Sequence, residues 1–177
     1  MIVIMKKTTS EFLLYNSIFG LFVGGSYIVA SLVFFWSGKN ISLNPQLNNI
    51  ILMLTIAGIF LGVKKFRDDH LEGIISYGKS FSTGIYILTI ASFLYALYIF
   101  IFYTSDPDLM ERFKKVMLSI LKQVYGNTPL YETFEKSIQS FLYPASIAVG
   151  EFLNKLFFGI ILTLFLAGIL RKRVSRY

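Results

Sequence analysis

An apolar block without a single charged residue runs from Phe12 to Trp36. It is longer than the roughly 20 residues that an α-helix needs to cross the hydrocarbon core of a bilayer. A cleaved signal peptide would have an apolar core of only about 7–15 residues, followed by a cleavage site of small residues, and this block does not fit that pattern. We therefore expect an uncleaved transmembrane helix here.

Three further segments of the chain are also strongly apolar. The second is short, and it becomes long enough to span if Lys64 and Lys65 extend their side chains to the lipid headgroups. The third carries no charge, and the fourth ends abruptly at a basic run that begins at Arg171. The sequence therefore predicts an all-α polytopic protein, a single membrane domain over 1–177. Its four spans are expected at about 12–36, 49–65, 81–104 and 147–170.

The composition agrees and excludes several classes of function. Hydrophobic residues make up 55% of the chain and charged residues only 15%, against roughly 45–50% and about 25% in soluble domains. Cysteine is absent, which excludes disulfides, thiolate nucleophiles and thiolate metal ligands. The net charge of +7 is not arranged as a basic stripe with interleaved aromatic residues, so nucleic acid is not an expected partner.

The basic residues indicate an orientation in the membrane. Ten of the 17 lie close to the span ends on one side, namely Lys6, Lys7, Lys64, Lys65, Arg67, Lys79, Arg171, Lys172, Arg173 and Arg176. The other side has Lys39, Arg112, Lys114, Lys115, Lys122 and Lys136. Because basic residues beside spans are enriched in the cytoplasm, the first group is expected there. An even number of spans then places both termini in the cytoplasm.

The segment between the third and fourth spans, residues 105–144, is too polar to cross lipid but carries two helical patterns. Asp106 and Gly126 bound the first helix, and Thr128 and Pro144 bound the second. Each has one apolar face. The first face comprises Leu109, Met110, Phe113, Val116, Met117, Ile120, Leu121 and Val124, and the second comprises Leu130, Phe134, Ile138, Phe141 and Leu142. We predict an extracytoplasmic hairpin of two amphipathic helices, whose apolar face packs on lipid, on the bundle or on a partner.

Residues 73–80, GIISYGKS, match the phosphate-loop pattern GxxxxGK[ST]. That loop holds phosphates between a buried strand and a helix, whereas the residues that precede Gly73 form the charged end of a span. We interpret Gly73 and Gly78 as turn residues, Lys79 as a headgroup contact and Ser80 as the cap of the third span. No nucleotide cofactor is expected.

Asp68, Asp69, His70 and Glu72 place three carboxylates and the single imidazole in one short loop. A metal site would need ligands at defined spacing with supporting hydrogen bonds. Adjacent acids beside basic residues such as Arg67 are more typical of a solvated loop that neutralises its own charge. We therefore expect no bound metal.

Glu151, Asn154 and Lys155 are the polar residues closest to membrane depth. Counted back from Arg171, Lys155 lies about 24 Å along the helix, so it sits only some 6 Å inside a core of ~30 Å. Glu151 precedes Lys155 by one turn, the favourable order for a pair within one helix. Both side chains can reach outward at that depth. We expect them to anchor the helix at the interface, with ion transport as the alternative.

Small residues recur at four-residue spacing within the spans. Gly20 with Gly24, and Gly58 with Gly62, form GxxxG pairs, and Gly159 begins a similar series in the last span. Such faces let helices approach closely. We interpret these glycines as helix-packing residues.

The second loop and the third span carry a further pattern. Arg67 and an acidic pair that begins at Asp68 precede Gly73, an aromatic-Gly-Lys step at Gly78 and Lys79 follows, and the next span ends near a Pro-Asp pair. Together with the final run FFGIILTLFLAGILRKR, these features resemble domain-of-unknown-function family 4199, uncharacterised four-span proteins found largely in Bacteroidetes. The resemblance implies a bacterial inner membrane and no assigned activity.

No nucleophile with an adjacent base and no ligand cluster is evident, so an enzyme is not expected. By elimination, the sequence favours a non-catalytic scaffold or accessory component of the bacterial envelope. The alternative is a small oligomeric transporter or channel that uses Glu151, Asn154 and Lys155 near its mouth. The expected partners are the lipid bilayer and other membrane proteins or further copies of the chain, and no cofactor is expected.

Overall fold

The computed structural model describes residues 2–126 and 128–172, with side chains described from residue 11 onward. That part of the chain forms six helices: α1 (Ile2–Trp36), α2 (Pro45–His70), α3 (Tyr77–Ser105), α4 (Pro107–Tyr125), α5 (Pro129–Phe141) and α6 (Pro144–Leu170). Four of them, α1, α2, α3 and α6, are long and apolar enough to cross a membrane. No strand occurs in the described ranges. The predicted all-α membrane architecture is therefore confirmed.

Four of the basic residues used to predict the orientation fall outside the described side chains. They are Lys6 and Lys7 near the start of the chain, and Arg173 and Arg176 near its end. The remaining basic residues of that group lie in or beside the last turns of α2 and α6 and the first turn of α3.

Helix α2 is longer than the apolar segment that predicts it. It begins at Pro45 because the side chain of Asn44 accepts the backbone N–H groups of Gln46 (2.9 Å) and Leu47 (3.2 Å), a standard N-cap followed by proline. It continues through the basic run to His70, since long unbranched side chains favour the helix and cations are stabilised near its C-terminus.

Two helix boundaries differ from the sequence-based prediction. Ser76, and not Ser80, caps α3, because its hydroxyl oxygen accepts the Lys79 N–H at 3.3 Å. Ser80 lies inside the helix and is only 1% exposed. Pro144 starts α6, whereas the sequence predicts it as the end of the hairpin, and α5 ends earlier, at Phe141. Proline suits that first turn because its fixed φ is helical and its missing N–H would have no partner there.

The contacts group the chain into two compact units, Met1–Tyr95 with Leu153–Tyr177, and Ala96–Phe152. The first unit holds α1, α2 and the larger parts of α3 and α6. Its buried cluster combines residues of three helices with Ile75 from the loop between α2 and α3: Ile59, Val63, Ile75, Leu88 and Leu170. The loop therefore contributes to the core of this unit rather than lying free in solvent.

Close approach of α1 and α3 depends on two glycines. A methyl group built at Gly24 would lie 2.9 Å from the carbonyl oxygen of Ala91, and one built at Gly20 would lie 2.5 Å from Cβ of Ile90. Neither position has room for a side chain. The other glycines that the sequence marks for packing also face a neighbouring helix. A Cβ built at each would lie against a side chain there: Val23 for Gly58, Ile87 for Gly62 and Leu88 for Gly159.

The second unit contains the α4–α5 hairpin. Asp106 caps α4 by accepting the Asp108 N–H at 3.0 Å, and Gly126 ends it with a φ of +59°. The rings of Tyr125 and Phe134 lie 5.2 Å apart and join the two helices. None of the described residues of α5 is buried, and Phe141 is 72% exposed. The apolar stripe of α5 is thus exposed at Leu130 and Phe141 and partly buried at Phe134 and Ile138.

Candidate functional site

A groove of about 220 Å³ lies between α2 and α6 in the first unit. Its floor is buried, with Ile51 2% and Thr55 5% exposed, whereas Leu52 and Phe158 on its rim are 41% and 57% exposed. The groove is therefore open along one side. Its lining consists of Asn48, Asn49, Ile51, Leu52, Thr55, Asn154, Lys155, Phe158, Gly159 and Leu162.

The lining changes from polar to apolar along the groove. Helices α2 and α6 run in the same direction. Asn48 and Lys155, from their N-terminal halves, line the same groove. At their C-terminal ends, Arg67 of α2 donates to the carbonyl oxygen of Leu170 of α6 at 3.3 Å. Three asparagines and one lysine therefore share one end of the groove. Toward its other end lie the apolar side chains of Ile51, Leu52, Phe158 and Leu162, together with Thr55, whose hydroxyl is hydrogen-bonded within the protein.

The floor of the groove is tied to α1 by a buried hydroxyl pair. Thr55 Oγ1 lies 2.7 Å from the carbonyl oxygen of Ile51 and donates its single proton to it. The phenol of Tyr27, 2.6 Å away, is then the donor to Thr55 Oγ1. Both side chains are almost fully buried, at 0% and 5% exposure, and each polar atom has a partner, as burial requires.

Tyr95 links the same region to Lys155. Its ring meets that of Tyr27 edge-on, with centroids 5.9 Å apart and planes at 88°, and its hydroxyl lies 3.1 Å from Ser31 Oγ. The ammonium of Lys155 lies 5.3 Å from the centre of the Tyr95 ring. A cation over an aromatic face is stabilised by about 0.5–2 kcal/mol, with the larger values in desolvated places. Lys155 is thus positioned beside the groove by α3.

Two of the three polar residues singled out from the sequence, Asn154 and Lys155, line this groove. Glu151 lies one turn earlier on α6, is half-buried and belongs to the second unit. The sequence patterns do not single out the other residues of this region, namely Asn48, Asn49, Thr55, Tyr27 and Tyr95. A signal existed in the two tyrosines, because a phenol placed inside a charge-free span needs a hydrogen-bond partner on another helix.

The loop that carries the family-like residues is anchored at the opposite end of α2. Arg67 contacts Asp68 through two nitrogens, at 2.7 Å and 3.3 Å, and its bond to Leu170 satisfies a carbonyl at the end of α6. Ile75 and Lys172 exchange two backbone hydrogen bonds of 3.1 Å and 3.0 Å. These contacts hold the ends of α2 and α6 and the loop together.

The phosphate-loop pattern adopts a turn followed by the first turn of α3. Gly73 has a φ of +78°, which favours glycine, whereas Gly78 lies inside the helix. The ammonium of Lys79 lies over the ring of Phe12, 4.2 Å from its centre, and also near Phe66 at 5.9 Å. The helix preceding this segment is α2, in place of the strand that a phosphate loop follows.

The acidic residues of the loop are engaged separately. Asp69 accepts a hydrogen bond of 2.9 Å from the phenol of Tyr15. His70 stacks on Phe66, with ring centroids 5.3 Å apart, and meets the Tyr15 ring at 4.4 Å. Among the described residues, no group of three or more His, Asp or Glu side chains is arranged to hold a metal ion.

The sequence was compared with known proteins, known structures and models of protein families. No curated protein and no solved structure matches the sequence. A family model described as protein of unknown function, DUF4199, matches residues 18–172, a range that includes the groove, the loop and the α4–α5 hairpin. With four apolar helices of membrane-spanning length, the chain is a multi-pass membrane protein that belongs to the DUF4199 family.

Proposed function

We propose that the protein is a non-catalytic component of the bacterial envelope that scaffolds or assists other membrane proteins. The observation that carries this proposal is the exposure of apolar residues at the two ends of the α5 stripe. Among the apolar residues of that helix, Leu130 is 49% and Phe141 is 72% exposed. A helix that is amphipathic and buries none of its described residues has an apolar face available for contact with another molecule.

The location and orientation are part of the proposal. Both termini lie in the cytoplasm, the membrane is the bacterial inner membrane and the α4–α5 hairpin is extracytoplasmic. The support is the basic end of the bundle, where Lys64, Lys65, Lys79, Arg171 and Lys172 lie in or beside the ends of α2, α3 and α6. Basic residues that flank spans favour the cytoplasmic side.

Photo-crosslinking in native membranes tests the scaffold role. A photoreactive residue is placed at Phe141, and a matched one at Gln139, which is also exposed but points about 200° away around the helix. We expect the photoreactive residue at position 141 to cross-link to the same membrane protein, at the same ratio to this chain, in repeated preparations. The one at position 139 should not do so. Cross-links from Phe141 only to lipid and to other copies of the chain would contradict the scaffold role.

A small oligomeric transporter or channel is the second candidate. The groove favours it, because Asn154 and Lys155 line a recess together with the Asn48, Asn49 and Thr55 side chains. Ionisable residues within spans often mark a solute path. Flux through reconstituted vesicles that is lost in Glu151→Gln or Lys155→Met would favour this candidate over the scaffold role, and unchanged passive leak in both variants would exclude it.

A further inference from the structure

We propose that the groove between α2 and α6 binds a membrane lipid with an anionic headgroup. The headgroup lies at the polar end, beside Lys155 and the asparagines, and one acyl chain follows the apolar lining. This inference concerns a binding site and does not depend on the proposed scaffold role.

The lining of the groove changes from polar to apolar along both of its walls. On α2 the lining passes from Asn48 to Leu52 within about one helical turn, and on α6 it passes from Lys155 to Leu162 within about two turns. Because the two helices are parallel, both changes run the same way. A ligand that fits both walls is polar at one end and apolar at the other, which is the chemistry of a lipid.

The charge at the polar end of the groove favours an anionic ligand. Among the residues that line the groove, Lys155 has the one ionisable side chain, and the other polar groups at the same end are the carboxamides of Asn48, Asn49 and Asn154. Asn48 and Asn49 lie near the N-terminus of α2, where the helix dipole favours negative charge. These groups together favour a phosphate or carboxylate over a cationic headgroup.

The groove is small and open along one side. Its volume of about 220 Å³ is smaller than the roughly 300–1,000 Å³ of sites that enclose a drug-sized ligand. The lining extends only about 10–12 Å along the helices. Such a groove accommodates part of a molecule whose remainder stays in the bilayer, and the exposed rim at Phe158, 57% accessible, allows that.

The Tyr27–Thr55 pair adds rigidity to the floor. Thr55 is held by α1 and by its own helix, and Lys155 is held over Tyr95. Groups fixed before binding lose less conformational freedom on binding, so a shallow groove with a fixed floor retains a lipid better than a flexible surface does.

The test is native mass spectrometry of the full chain purified in mild detergent with added phosphatidylglycerol. We expect one phosphatidylglycerol per chain to survive detergent washing, and Lys155→Met to weaken its retention about tenfold, the effect of losing one hydrogen bond to a charged group. Leu52→Trp, which fills the apolar end from the exposed rim, is expected to weaken retention similarly. The matched control is Lys65→Met, an exposed lysine near the other end of α2, and it should retain the lipid.

Three results would overturn the proposal. Equal retention of phosphatidylcholine would show that the groove does not select for an anionic headgroup. Displacement of the lipid by inorganic phosphate alone would show a site for anions that does not bind the acyl chain. Equal retention by wild type, Lys155→Met and Leu52→Trp would show that the lipid lies elsewhere. Circular dichroism and size-exclusion chromatography of each variant establish that it is folded, and Asn154→Leu provides a second change at the polar end, where weakened retention is again expected.

Discussion

The phenol of Tyr27 on α1 donates a 2.6 Å hydrogen bond to Thr55 Oγ1 on α2, in a place where both side chains are buried. The Thr55 hydroxyl in turn donates a hydrogen bond to the carbonyl oxygen of Ile51. Inside a membrane span, water cannot replace a hydrogen-bond partner that has been removed. The pair therefore stabilises the contact between the two helices and holds the floor of the groove in place.

Tyr27→Phe is expected to lower the free energy of unfolding in detergent by about 0.5–1.7 kcal/mol, the range measured for hydrogen bonds between membrane helices. The change removes the phenol oxygen and keeps the ring contact with Tyr95. Reversible unfolding in mixed micelles followed by circular dichroism measures it. Tyr143→Phe is the control, because Tyr143 is 53% exposed, and equal losses in the two variants would show that the buried pair is not stabilising.

Gly24→Ala and Gly25→Ala form a matched pair on adjacent residues. A Cβ at Gly24 would lie 2.9 Å from a backbone oxygen of α3, which cannot move aside as a flexible side chain can, whereas a Cβ at Gly25 would have nothing within 4 Å. We expect Gly24→Ala to destabilise the protein by about 1–3 kcal/mol through overpacking. Gly25→Ala should be neutral or slightly stabilising, because alanine favours helix. Thermal melting in detergent compares them, and equal melting temperatures would contradict the close α1–α3 approach.

The architecture follows from the sequence because its signals are local. Long apolar blocks predict the spans, and Asp106 and Gly126 mark the ends of α4 by their own chemistry. The glycine spacing also marks positions where helices meet closely, since Gly24 faces Ala91. These features depend on one segment at a time, so hydropathy, capping preference and residue size are enough to place them.

The groove could not be predicted in the same way. The contacts of Tyr27 with Thr55 and of Tyr95 with Ser31 depend on how each helix is rotated about its axis, and hydropathy carries no information on rotation. Asn48 and Asn49 resemble an ordinary polar boundary until α6 brings Asn154 and Lys155 beside them. Ser80 was assigned as a cap because it precedes the apolar run, but helix α3 begins earlier, where Ser76 caps it.

Arg67→Met is expected to loosen the end of the bundle where α2 and α6 finish. It removes the 3.3 Å bond to the partly buried Leu170 carbonyl, at a cost of about 1–2 kcal/mol, and it also removes the exposed contact with Asp68. Hydrogen exchange at the amide of Ile75, which donates to Lys172, should rise about tenfold if local opening controls it.

Two variants sharpen that test. Arg67→Lys keeps the charge but lacks the planar fork that reaches Leu170 and Asp68 together, so we expect an exchange rate close to that of Arg67→Met. Lys65→Met removes an exposed charge from the same helix and should leave the rate unchanged. Protection of Ile75 that is equal in all four proteins would mean that Arg67 does not anchor the loop.

Nucleotide binding is expected to be absent in spite of the phosphate-loop pattern. The segment forms a turn and the start of α3, and the Lys79 ammonium lies over the ring of Phe12. Equilibrium dialysis of purified protein with labelled ATP and magnesium should give no saturable binding in the micromolar range. Saturable binding that disappears in Lys79→Ala would show that the segment cradles phosphate after all.

The proposed topology has the most direct test, because the chain contains no cysteine and a single introduced one is a clean reporter. Ser137→Cys reports on α5 and Ile74→Cys on the loop between α2 and α3, and both residues are exposed. A thiol reagent that does not cross membranes is applied to intact spheroplasts. We predict that Ser137→Cys is labelled at once and Ile74→Cys only after permeabilisation. Labelling of Ile74→Cys in intact spheroplasts, with Ser137→Cys protected, would contradict the account.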